Sequence, residues 1–222
     1  MKSYYQDKWV TIYLGDCREI LPQLDVRDCF PHLTENKVDL VLTDPPYAED
    51  AIELYEIAAR ESKNILKQGG FFYAYCGTIF LPELLSCISR HLDWFWLHNL
   101  RLNGGYPSIW KVHIQQNSKP ILCYTNGKPN LKDIKWSFTD FTKDKPDKKY
   151  HKAWGQGSTV PLEIIMLRTF ENEIVLDPYC GGGNNIMAAK ILQRHGVGIE
   201  ISEKYCEIAA KRCSQEVMAL GV

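Results

Sequence analysis

Short apolar runs alternate along this chain with segments of helical periodicity. The clearest run is Val38-Asp39-Leu40-Val41-Leu42-Thr43, mostly β-branched and aliphatic, as in a strand covered on both faces. It stops at Asp44-Pro45-Pro46-Tyr47. Two prolines supply no backbone N–H and cannot continue a sheet. Further strands are expected over residues 9–14, 71–76, 94–102, 120–124, 174–176 and 197–200. Helical spacing marks residues 17–24, 51–66, 81–91, 161–170, 184–193 and 203–218. Lys67-Gln68-Gly69-Gly70 reads as a helix stop and Asn126-Gly127 as a hairpin-type turn. Residues 25–36 read as a loop, and periodicity fades over residues 128–157, which suggests a functional or mobile loop. Strands alternating with helices predict an α/β fold with a doubly wound, mostly parallel sheet.

The bulk numbers change this picture little. A chain of 222 residues suits one α/β domain with a modest insertion. No apolar run approaches the roughly 20 residues that span a bilayer, and the start of the chain lacks the apolar core of a signal peptide, so a cytoplasmic protein is expected. The eight cysteines include no Cys-x-x-Cys pair, so neither a metal site nor a disulfide scaffold is expected. Charge is more informative. The net charge is −1, yet residues 101–154 hold eleven Lys and Arg against four Asp. A basic segment on an acidic body is the footprint of a part that contacts a nucleic-acid backbone, and a solvated lysine-rich loop is the plainer alternative.

Two strand ends carry candidate chemistry. The first leaves the Asp44 carboxylate and the Tyr47 ring at the carboxyl edge of a strand, where ligands sit in open α/β sheets. The plainer alternative is a proline turn with Tyr47 in the core. The second is Ile174-Val175-Leu176-Asp177-Pro178-Tyr179-Cys180-Gly181-Gly182-Gly183, a strand, an acid and a glycine turn that opens a helix. Glycines allow close approach of backbone to a ligand, and a helix start offers free N–H groups. Glu200 ends the next strand about twenty residues on, where a carboxylate reaches ribose hydroxyls.

Asp44-Pro45-Pro46-Tyr47 resembles the catalytic motif of methyltransferases that modify exocyclic amino groups of bases. Asp177-Pro178-Tyr179-Cys180-Gly181-Gly182-Gly183 resembles their S-adenosylmethionine (SAM) loop. Gly198-Ile199-Glu200-Ile201-Ser202 is similar to their acidic strand end, and Gly15-Asp16 to an early Gly-Asp element. The order, with catalytic motif, basic insert and SAM loop in turn, is that of the β group of DNA amino-methyltransferases. The resemblance implies a seven-stranded, Rossmann-like SAM-methyltransferase domain over residues 1–222, with residues 103–157 as target-recognition region. It implies Asp44, Pro45, Pro46 and Tyr47 as catalytic residues, with Asp44 and the carbonyl of Pro45 accepting from the target amino group and Tyr47 stacking on a flipped base. For the cofactor it implies Glu200 at the ribose, and Asp177, Pro178, Tyr179, Gly181 and Gly183 around the methionine end. Asp16 is placed near the adenine of SAM. Ser202, and Ser158, Thr159 and Pro161 of a Thr-x-Lys-Pro-like element, complete the expected set. Val160 stands at the usual Lys, Gly182 at a usual Ser, and Asn184-Asn185 at a common Thr-Thr. The Asn residues are expected to cap the helix and contact a carboxylate.

The expected reaction is direct methyl transfer to N6 of adenine in a short DNA sequence, since Asp at position 44 favours adenine in that family. Cytosine N4, RNA or a protein amide are alternative acceptors, and a non-catalytic nucleic-acid-binding module is the reading from another class. Candidate phosphate contacts are Arg101, Lys111, His113, Lys119, Lys135, Lys148, Lys149 and Lys152, with Trp110, Trp136 and Tyr150 as candidates for stacking. Double-stranded DNA is the expected partner. A homodimer and pairing with a restriction endonuclease rest on the resemblance alone.

Overall fold

A computed structural model describes residues 1–101, 108–109, 112–129, 131, 140–143 and 159–215. In chain order the elements are β1 (Tyr5–Gln6), β2 (Val10–Leu14), α1 (Cys17–Ile20), α2 (Val26–Cys29), β3 (Val38–Thr43), α3 (Ile52–Ile65), β4 (Leu66–Tyr75), α4 (Leu81–Ile88), β5 (Asp93–Arg101), β6 (Ser108–Ile109), β7 (Ile114–Gln115), β8 (Ser118–Thr125), β9 (Phe141–Lys143), α5 (Thr159–Arg168), β10 (Ile174–Asp177), α6 (Asn184–Ile191), β11 (His195–Glu200) and α7 (Glu203–Cys213). The main sheet runs β1-β2-β11-β10-β3-β4-β8-β5-β9. Its central strands β2, β11, β10, β3 and β4 are all parallel, and β8 runs antiparallel between β4 and β5. The sheet has nine strands where seven are expected, because the two-residue β1 and the three-residue β9 extend its edges.

The core explains why β3 reads as a continuous apolar run. Leu40 and Leu42 pack with Ile164 and Ile165 of α5 and Ala188 and Ala189 of α6, while Val41 packs with Tyr55 and Ala58 of α3. Period two therefore operates with both faces covered. Asp39 is buried inside this strand because both its oxygens are used: Lys67 Nζ lies at 2.6 Å and the Ile174 N–H donates at 2.8 Å.

Several local readings change. Helix α3 stops at Ile65, and Lys67-Gln68-Gly69-Gly70 belongs to β4. Gly69 has φ of +79°, and a Cβ at Gly70 would come within 3.1 Å of the carbonyls of Lys67 and Asp39. These glycines serve an irregular strand start, not a helix end. Asn126-Gly127 makes no hairpin; Asn126 continues the ladder to Gly69 and Gly70 at 2.7 and 2.9 Å. The loop expected over residues 25–36 contains α2, capped by the Asp25 side chain. All eight cysteines are buried free thiols. Among the described residues no helix is long and apolar enough to cross a membrane.

Topology selects one place for a ligand. From β3 the chain moves to β4 on one side, and from β10 to β11 on the other. The reversal lies between β3 and β10, and the crevice beyond their carboxyl ends is where such sheets bind ligands.

Candidate active site at the ends of strands β3 and β10

The two motifs meet at that reversal. Val41 pairs with Leu176 in register, and the Thr43 hydroxyl donates to Asp177 Oδ1 at 2.8 Å. Asp177 also accepts from the Tyr179 N–H at 3.1 Å and from Asn185 Nδ2 at 2.8 Å. Asn185 donates in addition to the Leu42 carbonyl at 3.1 Å. Asp177, expected at the methionine end of the cofactor, is 2% exposed, its oxygens accept hydrogen bonds inside the protein, and it locks the two strand ends together. Burial pushes its carboxyl up to about 7, against the pull of its three donors. A raised carboxyl binds more protons in the native than in the unfolded chain. Its contribution to stability is therefore full below the ordinary carboxylate range and is lost as pH rises to about 7. The melting temperature of the parent relative to Asp177→Asn should accordingly fall across that interval; a constant difference would mean that Asp177 titrates normally.

The glycine turn is built for close approach. Gly181 and Gly183 have φ of +49° and +78°, a region that favours glycine. A Cβ at Gly183 would lie 2.9 Å from Ala209 Cβ, so this glycine lets α6 sit on α7. A Cβ at Gly181 would meet nothing within 4 Å, so its face opens on free space. The Gly181 N–H donates to Glu200 Oε2 at 2.9 Å, and the Ser202 N–H to Oε1 at 2.8 Å. Both oxygens of Glu200 are thus aimed, and each retains a lone pair. Gly15 N–H bonds the Glu200 carbonyl at 2.9 Å, which brings Asp16 to the same edge. Asp16 caps α1 and pairs with Arg18 at 2.5 Å, and those hydrogen bonds hold its carboxyl below the usual range.

Other expected cofactor residues fall around this turn. Pro178 is buried beneath it. The Tyr179 hydroxyl donates to the Leu54 carbonyl at 3.0 Å and ties the turn to α3. Gly183 occupies the N-cap of α6, so Asn184 is the first helical residue and does not cap it. Asn185 does contact a carboxylate, that of Asp177. Ser202 stands at the N-cap of α7 without a side-chain cap bond. Thr159 and buried Pro161 open α5, which packs against α6 and β3.

On the β3 side, Tyr47 is half exposed and its hydroxyl donates to Asp44. The Pro45 carbonyl lies 3.3 Å from the Tyr55 hydroxyl, which also reaches the Tyr75 carbonyl at 3.0 Å. Tyr55 thereby fixes the turn from below, a role its helical spacing marked only as core. Lys119 was expected at a phosphate. Its ammonium instead stands 3.2 and 3.3 Å from the two oxygens of Asp44 and 4.3 Å over the Tyr47 ring. Arg101 is exposed at the end of β5 and pairs in register with Ser118, at the same edge of the sheet. His113 is exposed with φ of +53°. Lys111, Lys135, Lys148, Lys149, Lys152 and Ser158, with Trp110, Trp136 and Tyr150, lie outside the described residues.

The arrangement is an acidic acceptor with a prolyl carbonyl and an aromatic face on one strand end, beside a glycine turn and a held carboxylate on its neighbours. It suits juxtaposition of two substrates at a single crevice, with no covalent attachment to the protein. Known proteins resemble the chain in sequence and fold. The chain is 22% identical over 224 residues to the Type II methyltransferase M.HpaI of Haemophilus parainfluenzae, covering 83% of this chain and 71% of that one. It is 24% identical over 264 residues to the Type II methyltransferase M.HinfI of Haemophilus influenzae, covering 96% and 70%. Its fold matches the M1.HpyAVI–SAM complex with a TM-score of 0.72 at 23% identity, covering 93% of this chain and all of the other. It matches the cytosine-N4-specific PvuII DNA methyltransferase with a TM-score of 0.79 at 16% identity, covering 98% and 90%. The family model of the N6/N4 DNA methylases matches residues 38–211, and this chain belongs to that DNA methylase family.

Proposed function

We propose that the protein transfers a methyl group from SAM to the N6 amino group of adenine in duplex DNA, after rotating the base out of the helix. The observation that carries this reading is the pairing of the β3 and β10 ends, which stands Asp44 beside the glycine turn. SAM, when bound, supplies an electrophilic methyl group. Gly181, with open space before it, and Glu200, with both oxygens aimed by backbone N–H groups, fit a nucleoside with free ribose hydroxyls. The chain's own residues then do three things. Asp44 and the Pro45 carbonyl accept from the amino group, which turns its lone pair out of the ring plane and toward the methyl. Tyr47 offers a face to the flipped base. The rigid strand ends hold the reactants in line, and such alignment can supply about 7 to 11 kcal/mol of a barrier.

Asp at position 44 supports adenine as target. Cytosine N4 is the second reading, because its amino group offers the same donors to the same acceptors. Incubation with duplex DNA and SAM carrying a labelled methyl group, followed by separation of the nucleosides, distinguishes them. N6-methyladenine is expected; N4-methylcytosine would support the second reading, and unlabelled DNA would overturn both.

Residues 103–157 are proposed as the target-recognition region. Strand β5 ends and β8 begins at the Asp44 edge, and β9 ends at that edge too. Replacing Lys148, Lys149 and Lys152 together by alanine should flatten the dependence of log affinity on log salt by about 0.9 per lost phosphate contact. Equal slopes for parent and triple variant would remove this segment from the DNA interface.

A further inference from the structure

Lys119 is the second residue of β8, which begins at the Asp44 edge with Ile121 paired to Tyr75. Its side chain is only 13% exposed. The ammonium lies 4.3 Å over Tyr47 and 5.0 Å from the Tyr75 ring centre, and 3.2 Å from the nearer oxygen of Asp44. An acceptor and a donor therefore stand side by side at Tyr47, the ammonium over its ring and the carboxylate at its hydroxyl. The ammonium covers the ring face on which a base would stack, so a base lying on Tyr47 would push it aside along Asp44 and then meet both groups edge-on.

We infer that Lys119 is a specificity-determining residue, donating from Nζ to the ring nitrogen next to the target amino group, N1 of adenine, while Asp44 accepts from the amino group itself. The inference rests on the amino-transfer reading above. An amino group beside an unprotonated ring nitrogen is a donor–acceptor edge, and Asp44 with Lys119 is its complement. Cytosine presents the same edge through N4 and N3. Guanine and thymine present the reverse, an oxo group beside a ring N–H. Against them the carboxylate would face an oxygen lone pair and the ammonium a donor, and both contacts repel. The pair thus admits amino-bearing bases and rejects oxo-bearing ones at the moment of flipping. The ammonium need only slide from sharing both oxygens of Asp44 to bridging one of them and the base. No covalent bond changes at Lys119.

The test is a cycle of two changes. Methyl transfer is measured for the parent and for Lys119→Met, on duplexes carrying adenine or 1-deazaadenine at the target, where a C–H replaces N1. Each change alone should lower kcat/KM by roughly ten- to a hundredfold, the range of a charge-assisted hydrogen bond. The two together should cost little more than one, because they delete the same contact. The cycle cancels any intrinsic effect of the deaza ring on nucleophilicity. Losses that multiply would overturn the inference and leave Lys119 acting only through Asp44, and an unchanged or faster Lys119→Met would overturn it outright. Should Lys119→Met fail to fold, judged by melting and SAM affinity, the parent decides alone, since full activity on 1-deazaadenine contradicts the contact. If the product is N4-methylcytosine, 3-deazacytosine takes the place of 1-deazaadenine. A parent that methylates neither base overturns the functional reading itself, whereas transfer with multiplying losses overturns only the role of Lys119.

Discussion

Asp44→Ala should lower methyl transfer to DNA by about 10³-fold while leaving SAM affinity near the parent value. On the proposed reading the carboxylate does three things that alanine cannot. It accepts from the amino group, it holds the nitrogen against the methyl donor, and its negative charge favours the positive charge that grows on the nitrogen during transfer. The expected SAM affinity follows from position. Asp44 stands at the end of β3, whereas the residues proposed for the cofactor stand at the ends of β10 and β11. The fold should tolerate the change, because Asp44 lies beyond the strand and its side chain is 27% exposed. Single-turnover transfer and calorimetric SAM binding measure the two quantities separately. A variant that transfers within a few fold of the parent would leave Asp44 outside the chemistry.

The second large effect is expected at Glu200. Glu200→Ala should weaken SAM by about 10²-fold, through loss of charge-assisted hydrogen bonds to the ribose and release of the Gly181 and Ser202 N–H groups that now bond the carboxylate. The rate at saturating SAM should change far less, since the carboxylate is not placed at the reacting atoms. The contrast with Asp44 is the informative point, one variant losing rate and the other affinity. Equal SAM affinity for the parent and Glu200→Ala would move the cofactor away from β11.

Both strand ends were legible in the amino-acid sequence because a buried strand that stops at a proline or glycine turn is a local pattern. Val38–Thr43 and Ile174–Asp177 carry such patterns within about ten residues each, and so does the acid at Glu200. What joins them was not legible, since pairing of β3 with β10 is a contact across more than a hundred residues, as in the Thr43–Asp177 bond with a separation of 134. The same holds for Lys119. In a basic segment it reads as one more phosphate contact, and only the reversal of β8 carries it 75 residues back onto Asp44. The burial of Asp177 was hidden in the same way, because Thr43 and Asn185 supply the donors that let it be buried. Gly69 and Gly70 misled because glycine after a helix is the usual stop, whereas here α3 ends in the extended Leu66 and the glycines admit a bulge.

The central claim is that the ends of β3 and β10 form one crevice that holds methyl donor and target amino group together. A crystal structure of the protein with SAM tests it most directly. The account predicts the ribose hydroxyls on Glu200, the nucleoside against Gly181, and the methyl group directed at Asp44 and the Pro45 carbonyl. SAM bound elsewhere, or with its methyl group turned away from Asp44, would contradict it.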